Sequence, residues 1–351
     1  MTDRDTGSPV ELALRRLAHG NALGQELAAA AFGQLMRGEA TAAQTAGLLT
    51  GLRVRGESAG DVAGAVLALR EAMVPVAVTD RSHLVDTCGT GGGSVSTFNI
   101  STAAALVAAG AGAVVAKHGN RSYTSKCGSA DVLEALGVQI TVDAADGARL
   151  LTQVGMAFLF APAFHPAMRF VAPVRREIGI PTIMNLIGPL ANPAGVTRQV
   201  VGVSDPGRGP LVAQVLALLG AQHALVVHGS VGMDEIAPVG ITQVWEVRGG
   251  EVLNWTIDPA EHGLEIADPA ALAGGTPPAN ARRVERLLEE PGADPAGRAA
   301  VVLNAGAALY VAGLVGEVGA GFASAQEALE TGRAGEVLAG LRRYTAVSTS
   351  E

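Results

Sequence analysis

The sequence predicts an α/β protein: a mostly parallel sheet with flanking helices, preceded by a smaller all-helical part. Three observations lead there. From residue 84 onward, short apolar runs of strand length alternate with helix-length runs, the pattern of a parallel sheet covered on both faces. Residues before 75 read as a succession of amphipathic helices, with apolar positions recurring at helical spacing. Hydrophobic residues make up 48% and charged residues 17% of 351, enough apolar side chain for a sizeable core in one large or two smaller domains. Aromatics are only 3%, so packing falls to Ala, Leu, Val and Gly.

Residues 10–19, 25–37, 42–53 and 59–72 form the helical part. Thr41 and Ser58 stand where N-caps belong, and Gly20, Gly38 and Gly56 punctuate the ends. These helices close a small core, or lend one face to a dimer interface; the pattern alone leaves both open. Residues 76–81 follow Pro75 as a hinge. Strands are expected at 84–88, 113–117, 139–142, 157–160, 199–203 and 224–228, with helices at 102–109, 130–136, 144–154 and 209–219. Residues 242–247 and 251–256 flank Gly249-Gly250 and read as a β-hairpin. Helices at 281–290, 295–313 and 324–343 close the chain, and residues from 345 read as a mobile polar tail. Residues 182–187 depart from the alternation: an apolar run that stops at Gly188-Pro189.

The formal net charge is −8, which argues against nucleic acid or an anionic membrane as a partner. Two cysteines, Cys88 and Cys127, give no disulfide framework, and a reducing, cytoplasmic location fits. Both read as small packing residues, since no His–Cys constellation accompanies them. Residues 1–9 are polar and charged, unlike a secretory signal. The longest apolar run, 103–116, is glycine-broken and too short to span a bilayer.

The stretch around which the chain is organised runs from Asp86 through Thr87-Cys88-Gly89-Thr90-Gly91-Gly92-Gly93 to Asn99-Ile100-Ser101-Thr102, then an Ala-rich helix, then Lys117-His118-Gly119-Asn120-Arg121. Glycines let backbone approach a ligand and turn N–H groups toward an anion. A helix N-terminus favours negative charge. Lys117 adds a cation at the next strand end, and together these indicate a polyphosphate site. Asp234-Glu235 follows a later strand end. It reads either as a solvated acidic turn or as a pair of hard oxygen ligands suited to magnesium.

Gly-Thr-Gly-Gly at 89–92, Asn-Ile-Ser-Thr at 99–102, Lys-His-Gly-Asn-Arg at 117–121 and Gly128-Ser129-Ala130-Asp131 resemble the anthranilate phosphoribosyltransferase family. The resemblance continues through His165-Pro166, Ile187-Gly188-Pro189-Leu190-Ala191-Asn192-Pro193 and Asp234-Glu235, covering nearly the whole chain in the family's motif order. It implies a nucleoside phosphorylase/phosphoribosyltransferase-like fold. Residues 1–75, rejoined by about 181–196, would form the helical domain. Residues 76–180 and 197–345 would form the phosphoribosyl pyrophosphate-binding domain, with 346–351 as tail and the cleft between domains.

The implied reaction transfers phosphoribosyl from 5-phosphoribosyl 1-pyrophosphate to the amine of anthranilate, with Mg2+, in tryptophan biosynthesis. The resemblance places Gly89, Gly92, Gly93, Thr97, Asn99, Ile100, Ser101, Thr102, Lys117, Asn120, Thr124, Ser125 and Ser129 at phosphoribosyl pyrophosphate. It places Ser101, Asp234 and Glu235 at the metal, and Gly89, His118, Asn120, His165 and Arg175 at anthranilate. No covalent nucleophile is implied and no general base is identifiable; His118 is the candidate catalytic residue, while His165 also reads as a capping or packing residue. Arg176 competes with Arg175 for the carboxylate, and motif register selects Arg175. A homodimer through the helical domain is implied. The other readings are a pyrimidine nucleoside phosphorylase-like enzyme and a catalytically silent nucleic-acid-binding relative. One departure stands out: Gly93 occupies a position where the family usually has aspartate.

Overall fold

The structure is a computed structural model and describes residues 7–93, 95–122 and 126–348. Four helices come first: α1 (Pro9–Ala18), α2 (Gln25–Met36), α3 (Ala42–Arg55) and α4 (Ala59–Glu71). Three of them start on the same device. Ser8, Thr41 and Ser58 each accept from the backbone three residues on, while Glu11, Gln44 and Asp61 reach back to the cap N–H. Each such cap is worth about 0.5–2 kcal/mol. Asp61 does more than cap. Fully buried, it accepts the N–H groups of Leu23 (2.9 Å) and Gly24 (3.0 Å) and the Arg55 guanidinium, so one carboxylate pins the start of α2 to α4.

The remainder is β1 (Leu84–Gly89), α5 (Ile100–Gly110), β2 (Val114–Gly119), α6 (Ser129–Ala135), α7 (Ala144–Gln153), β3 (Met156–Phe160), α8 (Ala161–Phe164), α9 (Ala172–Ile178), α10 (Met184–Ile187), β4 (Arg198–Gly202), α11 (Gly209–Leu218), β5 (His223–Gly229), β6 (Thr242–Arg248), β7 (Glu251–Ile257), α12 (Pro277–Glu289), α13 (Pro295–Val311), α14 (Val318–Glu330) and α15 (Arg333–Ser348). Among the described residues the strands form one seven-stranded sheet ordered β3-β2-β1-β4-β5-β6-β7. β3 to β5 run parallel across that order, and β5, β6 and β7 pair antiparallel. The α/β class with a mostly parallel sheet and a preceding helical part is therefore what the structure shows.

Successive strand residues point to opposite faces, and here each face has its own core. Val200, Leu225 and Val244 join α5 and α13 in one apolar cluster. Val201, Val226 and Trp245 join α11 and the core of α1–α4 in another. α5 and α13 are built mostly of Ala, Val and Leu and are buried around nearly their whole circumference, as expected for helices enclosed by sheet and neighbouring helices. Ile183, Met184, Leu186, Ile187 and Leu190 share the cluster of α1–α4, and Arg70 on α4 donates to the Leu190 carbonyl at 2.7 and 3.0 Å. Among the described residues no helix is long and apolar enough to cross a membrane.

Three expectations are corrected. Residues 139–142 are not a strand. Ile140 and Val142 are buried while Thr141 is exposed, so the alternation is real, but it marks an extended segment laid on the core without a ladder partner. Residues 324–343 are not one helix. The chain breaks after Glu330 at Gly332, whose φ of 76° lies in the left-handed region, and α15 starts afresh at Arg333. That second helix runs to Ser348, so a tail beginning at 345 or 346 is helical over its first residues. Residues 349–351 lie outside the described residues.

Candidate active site at the strand ends

The chain builds β2 and β3 on one side of β1, then β4 and β5 on the other. The carboxyl ends of β1 and β4, Gly89 and Gly202, lie side by side in register. At such a reversal the connections leave in opposite directions and open a crevice. The glycine loop after β1 lies across it. Gly91 and Gly92 take φ of 69° and 81°, a conformation side-chain-bearing residues avoid. The Thr90 N–H donates to the Gly202 carbonyl at 2.9 Å, tying the loop to β4.

Asp234 and Glu235 lie over the same strand ends. The Gly91 N–H donates to Asp234 Oδ2 at 2.8 Å. A Cβ at Gly89 would stand 2.5 Å from that carboxylate, and one at Gly202 would run into the Asp234 backbone. Glycine at both strand ends is thus what admits the acidic segment. A Cβ at Gly93 would stand 2.9 Å from the Gly232 carbonyl and 3.4 Å from Asp234 Oδ1. Burial pushes the proton affinity of both acids up, and for Glu235 the Asp234 charge pushes it further. Lys117 and the Ser101 backbone N–H, in the first turn of α5, act in the opposite sense on Glu235. Asn99, the α5 N-cap residue, makes no side-chain cap of its own.

Lys117, at the end of β2, is almost wholly buried and donates to the Thr87 carbonyl at 2.7 Å and to Ser101 Oγ at 3.3 Å. Burial pulls its pKa down, and Asp86, Cys88 and Glu235 oppose that pull. The fold therefore brings Ser101, Lys117, Asp234 and Glu235 together from three separate stretches of chain. Among the described residues no group of three or more His, Cys, Asp or Glu could hold a metal. Two carboxylates and a serine hydroxyl are a hard, incomplete donor set, and magnesium commonly accepts such a set with substrate phosphates and waters completing its shell. The glycine cradle around Asp234 fits that use.

His118, next to Lys117 on β2, meets His165, which follows α8. Their Nε2 atoms are 3.2 Å apart and both side chains are buried. Burial, and for His118 also its partner, hold the rings down to about 3 for His118 and about 4 for His165, so the pair is neutral at ordinary pH with one ring donating to the other. Asp86 supports His118 from below: its carboxylate accepts the His118 backbone N–H at 3.2 Å and the Asn192 amide at 2.8 Å. Asp86 is completely buried, which raises its pKa to about 6 against the pull of Lys117 and Asn192.

The other expected residues are distributed more loosely. Asn120 is exposed, and its carbonyl accepts Ser129 Oγ at 3.3 Å. Thr97 pairs as an isolated bridge with Ala273. Ile100 and Thr102 are fully buried in the first turn of α5, so the structure does not expose their side chains. Arg175 is half-buried on α9 and Arg176 is exposed. Thr124 and Ser125 lie outside the described residues.

Two models of the glycosyl transferase family match the chain: its helical bundle domain over residues 12–73 and its a/b domain over residues 81–335. Anthranilate phosphoribosyltransferase of Laribacter hongkongensis is 48% identical over 334 residues, covering 95% of this chain and 97% of that protein. The chain belongs to the anthranilate phosphoribosyltransferase family. Among solved structures, the anthranilate phosphoribosyltransferase of Thermus thermophilus superposes with a TM-score of 0.89 at 43% identity, covering 95% of this chain and 99% of its own. The Saccharomyces cerevisiae anthranilate phosphoribosyltransferase, in complex with phosphoribosyl pyrophosphate and magnesium, superposes with a TM-score of 0.87 at 26% identity, covering 97% and 99%.

Within this anthranilate phosphoribosyltransferase-family chain, sequence reasoning passed over residues that build the site from behind. Asp86 and Asn192 are two. Asn280 is another: buried on α12, it donates to Asn99 Oδ1 at 2.9 Å and accepts the Gly275 N–H at 2.7 Å, while Asn99 itself donates to the Cys127 carbonyl at 3.1 Å. A carboxylate inside a strand that opens Leu-Val-Asp is a readable sign of a buried, partnered acid. A lone Asn early in a helix carries no comparable sign.

Proposed function

We propose that this chain joins the amine of anthranilate to C1 of 5-phosphoribosyl 1-pyrophosphate, yielding N-(5-phosphoribosyl)anthranilate and pyrophosphate for tryptophan biosynthesis. The observation that carries the reading is the meeting, at the carboxyl ends of β1, β2 and β4, of Lys117, Ser101 and Asp234-Glu235 with a neutral histidine pair beside them. Lys117 and the acids suit a polyanion with its cation; the neutral histidine pair suits the uncharged amino group of an aromatic acid.

The bond from the amine nitrogen to C1 forms as the C1–oxygen bond breaks. Its electron pair leaves with pyrophosphate, and the surplus amine proton passes to solvent. Asp234, Glu235 and Ser101 Oγ would hold magnesium, which when bound supplies charge neutralisation for the leaving group. Lys117 adds a fixed positive charge that needs no reorganisation during reaction. Rings that gain a proton only near pH 3–4 are poor bases at neutral pH; His118 and His165 orient the amine instead. Arg175, the more buried of two adjacent arginines, pairs with the anthranilate carboxylate. Gly89, Gly92, Gly93, Thr97, Asn99, Asn120 and Ser129 would line the phosphoribosyl pyrophosphate side.

In this reading residues 1–75 with 181–196 form the helical domain, and 76–180 with 197–345 form the phosphoribosyl pyrophosphate-binding domain. Two copies associate through the helical domain, where Val54 and Leu67 remain exposed. The two free cysteines suit a reducing compartment, and we place the reaction in the cytoplasm. The test is direct: purified protein, anthranilate, phosphoribosyl pyrophosphate and magnesium, following loss of anthranilate fluorescence. Turnover is expected, and Asp234→Asn combined with Glu235→Gln should abolish it while leaving the melting temperature in place. Near-normal turnover of that double variant at saturating magnesium would remove the pair from the site.

A further inference from the structure

We propose that Asn304, on α13, is the positioning residue for the Asp234-Glu235 pair: its amide clamps the backbone of Ile236 and so sets where both carboxylates stand. The inference rests on the magnesium and pyrophosphate reading above. Asn304 Oδ1 accepts the Ile236 N–H at 3.0 Å, and Nδ2 donates to the Ile236 carbonyl at 2.9 Å and to Ala300, one turn back on the helix, at 2.9 Å. Both residues are buried, Ile236 completely. Every hydrogen-bonding group of the amide is occupied by backbone, so the side chain acts as a surrogate strand neighbour.

The need for such a neighbour follows from the path of the chain. Met233 turns back to pair with Gly229 at the end of β5, Asp234 then lies over the ends of β1 and β4, and Glu235 and Ala237 pack back against Gly229. Backbone groups in that segment have no ladder to join, and buried ones must be paired. On the far side the Ala237 N–H goes to the fully buried Thr242 Oγ1 at 3.0 Å. On the near side Asp234 is tied to the Gly91 N–H. Ile236 is the point between, one residue from Glu235, and Asn304 is its hold on the main core. A segment anchored by both peptide groups fixes the backbone from which both acids project, and outer partners of metal ligands commonly tune affinity by about 10–100-fold.

The chemistry also selects the residue. Leucine has similar bulk and neither hydrogen-bonding group. Serine can satisfy Ala300 within the helix but is too short to hold Ile236. Wild type, Asn304→Leu, Asn304→Ser and, as a stability control, Leu303→Ala, which is equally buried on α13, are compared by two readouts. The first is calorimetric binding of manganese together with phosphoribosyl pyrophosphate. The second is the magnesium concentration for half-maximal rate, alongside the anthranilate KM. Both Asn304 variants should weaken metal binding and raise the half-maximal magnesium by about tenfold, leave the anthranilate KM within about twofold, and regain most of their rate in excess metal. Leu303→Ala should lose melting temperature without moving the metal midpoint. Folded Asn304 variants whose midpoints match wild type would overturn the proposal, and if the leucine variant does not fold, the serine variant carries this comparison alone. A wild type that neither binds manganese with the substrate nor turns over would overturn the functional reading itself, an outcome visible before any variant is compared.

Discussion

Lys117 and the histidine pair share one strand end but face different problems. Burial pulls the Lys117 pKa down, and Asp86, Cys88 and Glu235 beside it oppose that pull, while the Thr87 carbonyl accepts its ammonium. Among the described residues no carboxylate opposes burial in this way at His118 and His165, and the two rings remain neutral. This difference makes a stability prediction. In the unfolded chain an imidazole protonates below about pH 6.5; in the fold these two resist protonation to about 3 and 4. Their contribution is therefore fully present above pH 6.5 and is lost as pH falls toward 4. His165→Phe should reduce the drop in unfolding free energy between about pH 7 and about pH 4.5 by roughly 2 kcal/mol, read from urea midpoints. Asp86, raised to about 6, acts with opposite sign and loses its contribution as pH rises, so the comparison must be between variant and wild type, not between pH values alone. An unchanged drop would show that His165 is protonated in the fold. Arg175→Ala should raise the anthranilate KM, with a loss of roughly 1.5–3 kcal/mol for a charge-assisted pair, and leave phosphoribosyl pyrophosphate affinity unchanged; the same defect in Arg176→Ala alone would reverse the assignment.

At the scale of elements, the site is a junction between loops that glycine keeps thin. The loop after β1, the first turn of α5 and the acidic segment approach so closely that Gly93 marks the limit. A side chain there must displace the Gly232 carbonyl by a few tenths of an ångström and brings any carboxylate beside Asp234. Gly93→Asp should shift the magnesium optimum of the initial rate downward and deepen inhibition above it, because a third acid draws metal out of register. Superimposable magnesium profiles would make Gly93 a neutral loop variation. Much of this scale could be read ahead: the N-caps at Thr41 and Ser58, the glycine loop and the strand–helix alternation are written in neighbouring residues, whereas the cap at Ser8 and the reciprocal bonds that complete all three boxes emerged with the structure. The alternation at 139–142 misled because an extended run packed on a core and a paired strand share one side-chain period. The break at Gly332 was hidden inside an Ala-rich stretch that favours helix on both sides.

The whole molecule is held by contacts that tie the helical part to the sheet. Arg208, before α11, pairs with the buried Glu57 at 2.7 Å. Arg70 holds the Leu190 carbonyl, and Phe32 and Leu35 share a core with Val201 and Trp245. The crevice therefore opens beside a continuous apolar body, while Val54 on α3 and Leu67 on α4 stay exposed, the surface on which the proposed dimer would form. Sedimentation at micromolar protein should give about twice the single-chain mass of 35.4 kDa, and Val54→Asp should lower it; a single-chain mass for wild type would refute association at that concentration.

What the sequence determined by itself is what neighbours along the chain can encode: helix starts, glycine turns, the α/β class, and the contiguous motifs that mark Lys117, His118 and Asp234-Glu235. Tertiary structure alone decided how those motifs meet and what stands behind them. Asp86 finds Asn192 across 106 residues, Ile236 finds Asn304 across 68, and Asn99 finds Asn280 across 181. No local pattern announces such pairs, because an asparagine on a helix looks the same whether it faces water or a buried peptide. Only the packing that removes water from both partners makes the hydrogen bond between them obligatory.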